Sequence, residues 1–185
     1  MNETISNMIH RRSIRSYKTD QISDEALNAI LEAGLYAATS RGREAWFLTA
    51  VQNPNLLNKI CNAARDTLAK EGDDKSLAKA KDPNFSPFYN APTLIIVSGN
   101  ETPNTRIDCA NACQNMCVAA YSLGLGSCYL AGYTIAFKDP VIAANLKQEL
   151  GIPKEYTPQF GVAIGYANEQ PALPQRNRNK MNIIK

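Results

Sequence analysis

The chain has 185 residues, 44% of them hydrophobic and 20% charged, the balance of one soluble domain with a single core and no second domain. No apolar run approaches the roughly 20 residues of a membrane span, and Met1-Asn2-Glu3-Thr4 lacks the basic and apolar regions of a signal peptide, so a cytoplasmic protein without membrane contact is expected. A net charge of +3 without a broad basic patch argues against nucleic acid, and an odd five cysteines with no CxxC pair argue against disulfides and metal centres.

Ile5, Met8 and Ile9 predict a short first helix over residues 2–10. It runs into Arg11-Arg12-Ser13-Ile14-Arg15, three guanidiniums and a hydroxyl in one short stretch, and two more arginines, Arg176 and Arg178, stand near the other end. The planar fork of arginine matches phosphate oxygens two at a time. A phosphate grip follows, open at this point to a nucleotide, nucleic acid or sugar phosphate. The single histidine, His10, has no partner residues and reads as a solvated or capping side chain.

Ser23 as N-cap, Asp24 and Glu25 at the positive end of the dipole, and Leu27, Ile30, Leu31 and Leu35 on one face predict a helix from Ser23 to Ala37. A polar loop, Ala38 to Glu44, precedes a strand from Trp46 to Val51. Asn53-Pro54 opens a third helix carrying Leu56, Leu57, Ile60, Ala64 and Leu68. Residues 71–90 are charged, and Asp82-Pro83 and Ser86-Pro87 predict an irregular excursion of the kind that acts as a lid.

Thr93 to Ser98, the most apolar run, predicts a buried central strand. From Arg106 to Leu123 the residues are nearly all small or apolar except Asp108, Asn111, Gln114 and Asn115, so this helix should be buried in the core or a subunit interface. Cys109, Cys113 and Cys117 recur on one side of it and read as small core residues among alanines. Gly124-Leu125-Gly126 stops the helix. A strand from Ser127 to Leu130, a helix from Asp139-Pro140 to Leu150, a last strand from Gln159 to Tyr166, and an extended C-terminal arm over 168–185 complete the chain. Interleaved helices and strands predict an α/β or α+β sandwich, and the lack of GxGxxG after the first strand disfavours a dinucleotide-binding domain.

The arginine-serine-arginine group after the first helix, a polar loop ending in tryptophan, the Ala-Pro-Thr-Leu-Ile-Ile-Val strand and the Ser-Leu-Gly-Leu-Gly-Ser-Cys turn occur in one order. Together they resemble the nitroreductase family of FMN-dependent oxidoreductases, over almost the whole chain. The resemblance implies an α+β fold, a four- to five-stranded, mostly antiparallel sheet flanked by helices, in an intertwined homodimer with FMN at the interface and the C-terminal arm crossing to the partner. Arg11, Arg12, Ser13 and Arg15 match the segment that holds the FMN phosphate and the pyrimidine edge of the flavin. Arg176 and Arg178 match a basic pair that also approaches the phosphate, and Tyr129 through Leu130, Ala131 and Gly132 a turn whose backbone faces the ring. Thr39, Ser40, Arg41 and Gly42 match a loop supplied to the flavin by the other subunit. Glu44 stands where many members carry a glutamine, and an ionised carboxylate accepts hydrogen bonds but donates none; Arg41 or Arg43 would pair with it and supply the donors.

The activity implied is reduction of a nitroaromatic, quinone or similar acceptor by NAD(P)H through a ping-pong cycle, the flavin N5 carrying the chemistry and Arg15 acting as electrostatic stabiliser. Phe85, Phe88 and Tyr89 are candidates to line the substrate face. The alternatives are a specialised ene- or dehalogenating reductase, and a flavin-binding or regulatory module without efficient turnover.

Overall fold

A computed structural model describing residues 1–185 contains helices α1 (Glu3–His10), α2 (Asp24–Leu35), α3 (Pro54–Glu71), α4 (Asp74–Lys81), α5 (Thr105–Ser122) and α6 (Pro140–Glu149), and strands β1 (Trp46–Val51), β2 (Thr93–Gly99), β3 (Gly126–Leu130) and β4 (Thr157–Gly165). The strands form one antiparallel sheet in the order β1-β2-β4-β3. The predicted α+β architecture is therefore observed, with four strands in one chain. No helix is long and apolar enough to cross a membrane.

The sheet lies between two helical layers, and β2 explains why. All seven of its residues are buried, and successive side chains leave a strand on opposite faces. Leu94 and Ile96 enter a cluster with Leu57 and Ile60 of α3 and Leu146 of α6, while Ile95 and Val97 enter one with Ile30 of α2 and Cys109, Cys113, Met116 and Cys117 of α5. Each such aliphatic side chain contributes about 1.5–3 kcal/mol by leaving water. Trp46 is a core anchor in the second cluster. The cysteine stripe is buried there too, and burial raises the Cys109 thiol pKa to about 12 and that of Cys117 to about 11.

Local signals set the helix starts: Asn2, Ser23, Asn53, Asp73 and Asp139 each accept hydrogen bonds from first-turn N–H groups of their helix. Asp73 corrects the expectation of an irregular excursion over 71–90. It caps α4 by accepting from Lys75 and Ser76, and Asp82-Pro83 ends that helix rather than preventing it. The helix was hidden because it buries only Ser76 and so leaves no apolar stripe to detect. Over 168–185 one helical turn, Arg178–Lys180, is the sole regular element.

Candidate functional site

After α1 the chain turns at Arg11 and runs extended along the outer edge of β3. The Ile14 N–H donates to the Ser127 carbonyl at 2.9 Å, and Ser13 bridges Ser127 in parallel. Farther along, Lys18 N–H donates to Tyr166 and Asn168 N–H to Ser16, each at 2.9 Å, tying the start of the C-terminal arm to the same segment. Extended backbone sends alternate side chains to opposite sides. Arg12 and Ile14 face a cavity of about 720 Å³ whose walls include His10, Leu125 and Leu173, and Arg12 donates to the Ile9 carbonyl. Arg11, Ser13 and Arg15 leave the segment on the opposite side, the side of Cys128. Burial raises that thiol's pKa, and Arg15, a hydrogen bond with Ser13, and Arg11 pull it back down. The structure thus gathers three members of the arginine-serine group and separates Arg12 from them.

The Arg11 Nε is buried and has no hydrogen-bond partner. Arg15 lies over the Tyr89 ring, its Cζ 5.8 Å from the centroid, and a hydrogen bond with Tyr89 leads the influences that raise its pKa. Its backbone N–H donates to Glu169. Because the Ser127 carbonyl points out of the sheet to Ile14, the alternation of the ladder turns the N–H and C=O of Tyr129 to the same open edge. Leu130 is buried, whereas Ala131 and Gly132 are exposed where the chain leaves the strand. A row of backbone groups and three polar side chains therefore border one another, the arrangement that recognises a planar polar ring or an anion.

The loop from Ala38 to Glu44 is elsewhere. The Ser40 N–H donates to buried Asp108 Oδ1 at 3.0 Å, near the start of α5, whereas Ser127 Oγ donates to the Cys117 carbonyl at 3.4 Å, near its end. At 1.5 Å per residue those two points on the helix are about 14 Å apart. Within one chain the loop and the arginine group do not meet. Arg41 and Glu44 adopt left-handed backbone, φ 59° and 47°, and Glu44 forms no ion pair with Arg41 or Arg43, contrary to expectation.

The sequence model described as the nitroreductase family matches residues 8–166, most of the chain. The chain belongs to the nitroreductase family. A crystal structure of a nitroreductase with bound FMN from Bacteroides fragilis shares 34% identity and a TM-score of 0.92, each chain covered in full. One with bound FMN from Desulfitobacterium hafniense shares 29% identity and the same TM-score, again over both whole chains. An FMN reductase (NADPH) from Bacillus subtilis is 27% identical over 99% of this chain and 76% of its own length. The relatives are oxidoreductases, and so is this enzyme.

In this member of the family the three aromatic candidates separate. Phe88 is buried, packed in the core cluster with α3. Phe85 packs under Arg65, whose guanidinium lies 5.7 Å from the ring centroid and donates to the carbonyls of Asp82, Pro83 and Phe85. Only Tyr89 reaches Arg15. It stands in left-handed backbone with Asn90, φ 58° and 53°, a conformation costing roughly 1–2 kcal/mol per residue of ordinary type, and Ser86 Oγ braces the turn by accepting the Asn90 N–H at 3.0 Å. Arg176 and Arg178 are exposed on the arm, with no ion pair or side-chain hydrogen bond, and are not gathered to Arg11 within the chain. Sequence reading missed Cys128, Glu169 and Arg65. A lone arginine on an amphipathic helix and a lone glutamate on an arm carry no local signal; Cys128 lies on a strand whose edge position only the topology reveals.

Proposed function

We propose that this nitroreductase-family chain binds FMN and uses NAD(P)H to reduce nitroaromatics, quinones or similar acceptors by a ping-pong mechanism. The observation that carries the reading is the convergence of Arg11, Ser13 and Arg15 beside the open edge of β3, with the buried Arg11 Nε lacking any partner in the chain. That donor set fits the cofactor: guanidiniums for phosphate or ring oxygens, a hydroxyl, and the backbone of Tyr129 through Gly132 for a ring edge. Bound FMN supplies the acceptance and release of hydride. The chain's own work is to fix the ring against β3, to keep Arg15 beside the pyrimidine edge as a fixed positive charge, and to hold Tyr89 over Arg15 at the mouth.

We further propose that residues 1–185 act as one domain within a homodimer. The separation of the loop Thr39–Gly42, with Glu44, from the arginine group supports it, because a second copy is needed to bring the two together around one ring. The exposed apolar side chains of Ile5, Met8 and Ile9 on α1 and Ile107 on α5 give that copy a surface. Arg176 and Arg178 reach the phosphate on the same reading.

Absorption of the purified protein tests the cofactor, with flavin bands expected at one FMN per chain. Stopped-flow reduction by NADH and by NADPH, followed by reoxidation with a nitroaromatic and a quinone, tests the reaction, and parallel lines in a double-reciprocal plot mark ping-pong turnover. Failure to retain or bind FMN overturns the cofactor assignment. Bound flavin that neither nucleotide reduces makes the protein a binding module.

A further inference from the structure

The polar stripe of α5 has an organised task. Asn104, Asp108 and Asn111 recur at intervals of four and three residues and so share one helix face. The Asp108 carboxylate accepts the Ser40 N–H at 3.0 Å, Asn104 Nδ2 donates to Ser40 Oγ at 2.7 Å, and Asn111 Nδ2 donates to the Ala38 carbonyl at 3.0 Å. Asn104 is the N-cap residue of α5, and asparagine is among the best caps, yet its side chain makes no cap hydrogen bond and turns to the loop instead. Asp108 is 2% exposed, and its Oδ2 has no partner within the chain.

A buried carboxylate and a diverted cap are both costly where only a surface loop needs tethering. The loop they hold is also bent against the preference of two of its residues, since Arg41 and Glu44 lie in the left-handed region that Gly42 between them adopts freely. Its ends are pinned by Ala37 and by Ala45 and Trp46, which are buried. Shape, rather than attachment alone, is what the three side chains impose. We propose that Asp108, aided by Asn104 and Asn111, is a positioning residue that sets the backbone of Ala38–Glu44 in the form presented to the flavin of the second subunit, a role that rests on the flavin reading above.

The test uses the full-length protein. Hydrogen exchange at the Ser40 amide, measured by NMR without flavin, reads the clamp itself, and FMN titration reads its consequence. In Asp108→Ala the Ser40 amide should exchange at least tenfold faster and FMN affinity should fall roughly tenfold, the scale of one hydrogen bond to a charged group. Asp108→Asn, which keeps an acceptor oxygen, should restore most of both. Should Asp108→Ala fail to fold, Asn111→Ala at an exposed position removes the neighbouring tether and should raise exchange and weaken FMN severalfold. Unchanged Ser40 exchange in these variants overturns the clamp. Faster exchange with unchanged FMN affinity overturns its positioning role. A wild-type protein with a protected Ser40 amide that binds no FMN instead overturns the flavin reading and leaves the clamp standing.

Discussion

The segment Arg11–Arg15 is held by its backbone and offers its side chains, whereas the loop Ala38–Glu44 is held by side chains of α5 and offers its backbone. In the first, Ile14 and Ser13 pair with Ser127 at the sheet edge, and alternation then decides which residues face the site. In the second, Ser40 and Ala38 are gripped from outside, so the loop's side chains other than Ser40, whose Oγ accepts from Asn104, are free to differ. That difference accounts for how a loop reading Arg41-Gly42-Arg43-Glu44, without the glutamine that many family members carry, can still present an ordered main chain. It also implies opposite sensitivities: side-chain loss should be severe at the first and mild at the second, provided α5 keeps its hold.

The largest expected effect comes from the alternation. Removing both Arg11 and Arg15 as alanine variants should weaken FMN binding by 100-fold or more, at about 1.5–3 kcal/mol for each lost charge-assisted hydrogen bond. Arg12→Ala should change it less than about threefold, because a single exposed-face contact of this kind contributes little. Fluorescence quenching of FMN gives both constants. Equal losses at Arg12 and Arg11 would break the picture of a backbone-held segment with two faces.

Two glycines separate the regions at the level of packing. A Cβ on Gly99 would stand 2.1 Å from Thr105 Cγ2 and 3.0 Å from Cys109 Sγ, driving into the start of α5. One on Gly126 would stand 3.0 Å from Ile14 Cγ1, pressing the arginine segment instead. Gly99→Ala should therefore cost about 2–3 kcal/mol in urea unfolding and Gly126→Ala about 1 kcal/mol, the range for overpacked cores. The local signature matters more than the totals: amide exchange should quicken at Ser40 in the first and at Ile14 in the second. Exchange that quickens equally at both sites in either variant would mean that the two regions are one unit.

The arginine segment was legible because its chemistry is concentrated in five consecutive residues, and the fold was legible because caps such as Ser23 and Asn53-Pro54 and the apolar run Thr93–Ser98 act locally. That Arg12 leaves the segment on the other side from Arg11, Ser13 and Arg15 is not legible in composition, which does not say that the segment is extended; only its pairing with Ser127 does. Phe88 and Tyr89 are neighbours with the same aromatic character, and the left-handed turn that buries one and exposes the other depends on Ser86 and on the Arg65 bonds around it. Asp108, Asn104 and Asn111 were visible as a polar stripe, but their target lies some 70 residues away in sequence, as the 68-residue separation of Ser40 from Asp108 illustrates. α4 escaped for the opposite reason, having a clear cap but no apolar face.

The smallest expected effect concerns charge at the two regions. Asp108 adds to the burial that raises the Cys109 pKa to about 12, while Arg15 and Arg11 oppose the burial that raises that of Cys128. In the unfolded chain both thiols titrate near their ordinary value of 9.0. A folded-state pKa above the unfolded one means that, above pH 9, the unfolded chain has released protons the folded chain still holds. Stability is fully present below pH 9 and declines as pH rises toward the folded values. The decline should be steeper for Cys109, beside a carboxylate, than for Cys128, beside guanidiniums. Thermal unfolding between pH 8 and pH 10.5 should accordingly show a fall in midpoint of a few degrees that Cys109→Ala flattens more than Cys128→Ala does. Equal flattening by the two variants would show that burial alone sets both thiols, and that the acidic surroundings of the loop clamp and the basic surroundings of the arginine segment do not differ at the depth of the core.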